Sequence, residues 1–590
     1  MVMRSAPTRV WGHGPFMSHN TQRPPSRIAV QVAQGNIYGV RDELPNGEHY
    51  YYFKGIPYAK PPVGNLRFRS PVPIEKYSVS YLDCTKEGKN CMGMDIFTKE
   101  ITGHEEGLFL NIYTPKMPPK NQPEPNKLPV LVFIHGGGLI GGHGDSSMYL
   151  PNYMIQENML VVTVNYRLGV LGFLCLPEAG IEGNAGLKDQ RLALQWVHQN
   201  IEKFSGDPDN VTLFGASAGA IAVHYHCLSK ESKKYFHKAI LTSGSAFMDY
   251  AHQEAPEEKA RQLARLLGHN PKSDEEVLQV LTNAPAKKLF ELQLKVFSKR
   301  EESVEKLFQL PFLPVIEQEQ SPDPIITKHP MEIMCEPDGM GIPMITGYND
   351  REGMIVLNDA VKQLPSYNEE PERFIPRTLN IDYESPEAGQ VGKAIKHFYF
   401  KDKPVGHETI THLVDVFSDK YLILSIPIMN ELWARFQRNH KLFIYRFSFD
   451  GLLNKGKTLV PYSSLKGASH IDEVYYLFSA PILKTEIPKS SESFAMRQKM
   501  VRMWANFARQ GHPTENDEEL ALNWEPVQNI PVDSKESRID VLDIGDDIRM
   551  MPIPERARMD FWMELFAKYN GHAANTAVPR KPFQGKKSLV

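Results

Sequence analysis

The chain has 590 residues, 41% of them hydrophobic, and a formal net charge of −3 from 67 basic and 70 acidic side chains. A balance this even leaves no electrostatic footprint for nucleic acid or an anionic membrane, while the length allows a large core of the kind that big α/β enzymes build as one unit. The five cysteines, at 84, 91, 175, 227 and 335, are too few for a disulfide scaffold and have no metal-ligand spacing.

Residues 1–27 are rich in Pro, Arg, Ser, Gly and Asn and read as a flexible tail without the apolar segment of a secretory signal. Ile28–Val32, Gly35–Val40 and Tyr50–Pro57 follow as short antiparallel strands. Cys84 and Cys91 are near enough in sequence to bridge, but two reduced thiols is the favoured reading, which fits a reducing, cytoplasmic setting. Beyond a polar loop at 116–127, Pro129–His135 and Met159–Asn165 are uninterrupted apolar, β-branched runs, the pattern of central strands covered on both faces.

Leu187–Phe204 has helical apolar spacing, and Val211–Phe214, Ala239–Ser243, Pro343–Gly347 and Leu442–Phe447 resume the strand signal. The charged stretch 254–308 reads as a helical cap or side subdomain, and 497–509 and 557–569 as helices. Residues 569–590 read as a basic flexible tail, leaving one domain over 28–568. Strands alternating with helices predict an α/β fold with a large, mostly parallel sheet. No run approaches the about 18 apolar residues of a transmembrane helix.

Two glycine-rich segments carry chemistry. Gly215-Ala-Ser217-Ala-Gly219 matches G-x-S-x-G directly after a short buried strand and before a small-residue helical run. Small flanking residues let strand and helix close on a sharp turn that lifts the serine hydroxyl and aims the helix N-terminus at a developing anion. His135-Gly-Gly-Gly138 ends the strand before it, and glycines there allow backbone N–H groups to approach an oxyanion. Serine hydrolysis also needs a histidine base and an acid, in the order Ser, Asp/Glu, His for this kind of turn. Seven histidines follow residue 352 (397, 407, 412, 440, 470, 512 and 572), and periodicity does not choose among them.

The chain resembles the type B carboxylesterases, a family that includes the cholinesterases, and is most similar to their insect α-esterase-like members. The resemblance covers about residues 28–568 and rests on Phe53–Phe68, Glu105–Pro115, Asn165–Phe173 and Gly183–Gln190, which stand in family order. It implies an α/β-hydrolase fold with helical cap insertions and a serine esterase acting through an acyl-enzyme, with no metal or cofactor. Gly467–Glu473 is similar to the family's histidine motif, which implies His470 as base, and Gly347–Gly353 to the segment of its acid, which implies Glu352 rather than Asp350. The oxyanion hole falls on Gly137, Gly138 and Ala218. Ser243–Tyr250 matches the acyl-pocket segment, so Phe247 and Tyr250 are expected to set acyl-chain size.

Three departures from the family pattern matter. Ala216 replaces the glutamate usual before the nucleophile, predicting weaker support for cationic alcohols and altered acyl-enzyme turnover. Leu139 replaces an aromatic residue, making the pocket wall more aliphatic. Gly107 replaces the cysteine that would bridge to Cys91. The expected function is hydrolysis of lipophilic carboxylic esters in detoxification or lipid-ester turnover, with organophosphates as covalent inhibitors and peripheral contact with a membrane or lipid droplet through the basic tail. The alternatives are a slow-turnover sequestering protein or a non-catalytic binding protein on the same fold.

Overall fold

The computed structural model describes residues 26–569 apart from 45, 96–97, 120–123, 298–306, 308–309, 338, 380, 438 and 535–538. The expected tails, 1–27 and 569–590, lie outside the described residues except for Ser26, Arg27 and Tyr569. Those three already belong to the first strand and the last helix.

The first strands are β1 (Ser26–Val32), β2 (Gly35–Glu43) and β3 (His49–Pro57), antiparallel neighbours. They are followed by the short β4 (Tyr81–Asp83), β5 (Gly93–Met94) and β6 (Ile101–Thr102). The central strands are β7 (Phe109–Thr114), β8 (Leu128–Ile134), β9 (Leu160–Val164), β10 (Gly206–Ala216), β11 (Lys238–Thr242) and β12 (Met344–Asn349). β13 (Leu442–Phe447), β14 (Asp540–Ile544) and β15 (Ile548–Pro552) complete the series. Among the described residues thirteen strands form one sheet, in the order β1-β2-β3-β7-β9-β8-β10-β11-β12-β13-β14-β15 with β4 beside β2. From β9 to β14 the strands run parallel.

The parallel strands owe their composition to burial on both faces. Along β8, Val130, Val132 and Ile134 enter one apolar core while Leu131 and Phe133 enter the other. β10 and β13 alternate in the same way: Val211, Leu213, Leu442 and Ile444 face the first core, and Phe214, Ala216, Phe443 and Tyr445 the second. Every residue of β8, β9, β11 and β12 is buried.

Helices cover the sheet. The helix expected at 187–204 runs Ala185–Asn200 and tightens into a 3₁₀ turn at Ile201–Phe204. The one expected at 497–509 starts earlier, at Glu492, because the Ser491 hydroxyl caps the Phe494 N–H; it ends at Gly511 in the left-handed conformation. The charged segment carries helices Pro256–Leu266, Asp274–Asn283 and Ala286–Gln293. Helices Pro386–Phe400 and Ile410–Ser418 were not legible from spacing; the second passes through a π-helical turn, Asp419–Ile423, into Ser425–Phe436. Among the described residues no helix is long and apolar enough to cross a membrane, and no cluster of three or more metal-ligating side chains is present.

Candidate active site

The centre of the sheet delivers three chain segments to one place, all from the carboxyl ends of β8, β10 and β12. β10 ends at Ala216, and the next residue, Ser217, turns into the helix Ala218–Leu228 with φ 57° and ψ −127°. That conformation costs about 1–3 kcal/mol for a residue with a Cβ. It persists because the flanking glycines permit contacts that no side chain would. A Cβ on Gly215 would lie 2.2 Å from the Gly219 carbonyl oxygen, and one on Gly219 would lie 2.1 Å from the Ile134 oxygen. The Ser217 N–H is tied to the Thr242 carbonyl at 2.8 Å.

β8 ends in His135-Gly136-Gly137-Gly138. Gly137 and Gly138 have φ of 113° and 64°, and Gly136 packs so closely that a Cβ there would lie 3.0 Å from Ser217 Cβ. Ile140 and Gly141 donate back to the Gly137 carbonyl at 3.1 and 2.9 Å, fixing the loop. Among the described residues no protein acceptor takes the N–H of Gly137, Gly138 or Ala218. Burial holds the His135 imidazole neutral, with its pKa pushed down to about 3.

His470 reaches the serine from the loop beyond β13. Its Nε2 is 2.8 Å from Ser217 Oγ and its Nδ1 is 2.5 Å from Glu352 Oε2. Glu352 is fully buried and follows the end of β12; its second oxygen accepts from the Ser243 hydroxyl at 2.5 Å and the Asn349 N–H at 2.8 Å. A second buried carboxylate, Glu473, accepts from the Asn349 side-chain amide and lies 3.2 Å from the Ser243 hydroxyl. Burial, with the Glu352 carboxylate alongside, pushes its pKa up to about 7.

Of the pocket residues, Ala216 is buried in the apolar core on the other face of the sheet, and Leu139 is buried with φ 58°, its carbonyl accepting from the Gly169 N–H at 2.7 Å. Phe247 packs on the buried His224 ring at 5.2 Å. Tyr250 is buried, and its phenol is held well above the ordinary tyrosine range by burial and then by Glu352. The motifs did not single out Leu310, whose side chain packs on Gly138, 3.1 Å from where a Cβ would stand. Nor did they single out Ser243, Asn349 or Glu473 as partners of the acid. Ser243, Asn349 and Glu473 stand inside the family-like segments 243–250, 347–353 and 467–473, whereas Leu310 lies in an apolar stretch with no motif.

All five cysteines are free thiols, four of them buried. Gly107 stands hard against Cys91, where a Cβ would be 2.7 Å from the sulfur. The strand β5 that follows Cys91 supports the glycine loop, Met94 N–H donating to the Ile140 carbonyl at 2.9 Å.

A mainly parallel sheet with a serine on a strained strand-to-helix turn, backed by a histidine and a carboxylate from later loops, defines an α/β-hydrolase. Comparison with known proteins narrows this. The carboxylesterase family model matches residues 26–562, and the chain belongs to that family, whose reaction is carboxylic-ester hydrolysis. It is 34% identical over 537 residues to esterase FE4 of Myzus persicae, covering 88% of this chain and 90% of that protein. It is 31% identical over 521 residues to the juvenile hormone esterase of Tribolium castaneum, covering 85% and 86%. The crystal structure of juvenile hormone esterase from Manduca sexta, with OTFP covalently attached, superposes with a TM-score of 0.77 at 28% identity, covering 92% of this chain and all of that one.

Proposed function

We propose that this chain hydrolyses lipophilic carboxylic esters with Ser217 as nucleophile, His470 as general base and acid, and Glu352 as the carboxylate that orients and charge-balances the imidazole. The observation that carries the reading is the unbroken line from Ser217 Oγ through His470 to Glu352, at 2.8 and 2.5 Å. His470 Nε2 takes the hydroxyl proton as Oγ attacks the ester carbonyl carbon. The N–H groups of Gly137, Gly138 and Ala218 hold the resulting oxyanion. His470 returns the proton to the leaving alcohol, and an acyl-enzyme remains. A water deprotonated by His470 then attacks the acyl carbon, and Ser217 leaves as the acid forms.

The apolar side chains of Leu139, Leu310, Phe247 and Tyr250, on or near the glycine loop and the acyl-pocket segment, support an apolar acyl or alkyl group, whereas Ala216 lies in the core on the other face of the sheet. The covalent attachment of OTFP to the Manduca sexta relative supports a nucleophile that covalent inhibitors can trap, and organophosphates are the class expected for Ser217. A role in detoxification fits an esterase for apolar esters, and the free Cys91 thiol fits a reducing compartment. The complete set of side chains and the hydrolase relatives favour turnover over sequestration or simple binding.

The test is a pre-steady-state assay with p-nitrophenyl butyrate. The wild type should show a burst followed by sustained release. Ser217→Ala should lose the burst and about 10⁴–10⁶-fold of the steady rate. Turnover surviving in Ser217→Ala would remove the assignment, and a single-turnover burst in the wild type would turn the reading to a sequestering protein.

A further inference from the structure

The loop that carries His470 is strained next to the base. Ile471 has φ 63°, a left-handed conformation that a β-branched residue adopts only when its surroundings hold it there. Inside the loop, the Asp472 carboxylate accepts from the Ser469 N–H at 2.7 Å and from the Lys457 N–H at 3.1 Å. The other hold comes from the acid's own loop, 118 residues away in sequence. Asp350 Oδ1 accepts from the Ala468 N–H at 2.7 Å, and the Arg351 N–H donates to the Ala468 carbonyl at 3.0 Å. The fit is close enough to require a glycine beside it: Gly467 has φ 106°, and a Cβ there would lie 2.6 and 2.7 Å from the two Asp350 oxygens.

Asp350 is itself anchored. Its side chain is only 12% exposed, and its Oδ2 lies 3.7 Å from Arg446 and 3.9 Å from Arg351. Arg446 is fixed in turn by Asp543 at 2.7 Å and Glu555 at 2.9 Å, and Arg351 by Asp415 at 2.5 Å. The ends of β12 and β13 and the start of the last helix are thereby joined to the backbone two residues before the base.

We infer that Asp350 is a positioning residue for ester hydrolysis: it fixes Ala468, and through it the strained loop, so that the His470 ring stays on the line between Glu352 and Ser217. The inference rests on the Ser217–His470–Glu352 reading, whose own failure would appear as turnover in Ser217→Ala.

The experiment compares Asp350→Ala and Asp350→Asn in the full chain, with rates referred to the serine titrated by a fluorophosphonate. Displacement of the base by about 1 Å predicts a fall in kcat of about 10–100-fold in Asp350→Ala, with KM within about twofold of wild type and the fluorophosphonate labelling rate falling in parallel. Asp350→Asn keeps an oxygen for the Ala468 N–H and should recover most of that loss. If Asp350→Ala does not fold, Gly467→Ala, which crowds the same contact while keeping the carboxylate, should show the same kcat-specific fall. A wild-type kcat per titrated serine in Asp350→Ala would overturn the inference, as would a loss expressed in KM or an Asn variant as slow as the Ala variant.

Discussion

The turn that presents Ser217 and the turn that presents His470 are both strained, with φ of 57° at Ser217 and 63° at Ile471, yet they are held in opposite ways. The serine turn is largely self-contained. Two glycines four residues apart remove the clashes, and one backbone hydrogen bond to the next strand fixes it. The histidine turn also contains a glycine, Gly467, but that residue clears space for the Asp350 carboxylate from another loop and not for the turn itself. The turn is held by carboxylates, Asp472 from within and Asp350 from the acid loop, and its ring is aimed by Glu352. One site element is thus a property of five consecutive residues and the other of the tertiary fold. Substitutions should damage the first through backbone collision and the second chiefly through the hydrogen bonds and charge that Asp350, Asp472 and Glu352 supply.

The largest expected effect breaks the self-contained turn. Gly215→Val places side-chain carbon where only 2.2 Å separates the Cβ from a buried carbonyl, and it should cost about 4 kcal/mol or more of stability. Urea unfolding would show it, and a variant within 1 kcal/mol of wild type would contradict the steric account of the turn. Next comes the acid. Glu352→Gln removes the charge that pairs with His470 but keeps the shape, so kcat should fall about 10⁴-fold in a protein with unchanged unfolding. Retention of a tenth of the wild-type kcat would mean that another group serves the imidazole.

The smallest effect sharpens the contrast through pH. Glu473 titrates at about 7 in the folded chain, well above an ordinary carboxylate. Below the ordinary carboxylate pKa both folded and unfolded chains keep the proton. As pH rises towards 7, the folded chain retains a proton that the unfolded chain has lost, so stability falls across this window and stays lower above it. Glu473→Gln removes this contribution. The gain in thermal midpoint over wild type should therefore be larger at pH 8 than at pH 5; an equal gain at both would show that Glu473 does not hold its proton.

The same contrast explains what could be read in advance. β8, β9, β11 and β12 were plain in the sequence because strands buried on both faces are written as unbroken apolar runs. The glycine loop and the serine turn were plain because steric necessity fixes their letters. β14, Asp540–Ile544, escaped because its half-buried acidic residues interrupt the apolar signal. Glu352 and His470 were invisible to periodicity, since nothing local separates them from six other histidines and a neighbouring aspartate, and only the resemblance selected them. Asp350 stands in the acid segment without being the acid, and only its contact with the Ala468 N–H ties it to the histidine's loop. Leu310 carried no signal because an apolar residue in an apolar stretch has no distinguishing spacing.

The junction of Cys91 with Gly107 has a practical side. The glycine loop leans on β5, and the segment leading into β5 is secured by close packing of a thiol on a glycine backbone, with no covalent tie. The five cysteines form no disulfide with one another. Millimolar dithiothreitol should leave its catalytic rate intact, and the loop would be loosened by heat before it was touched by a reductant.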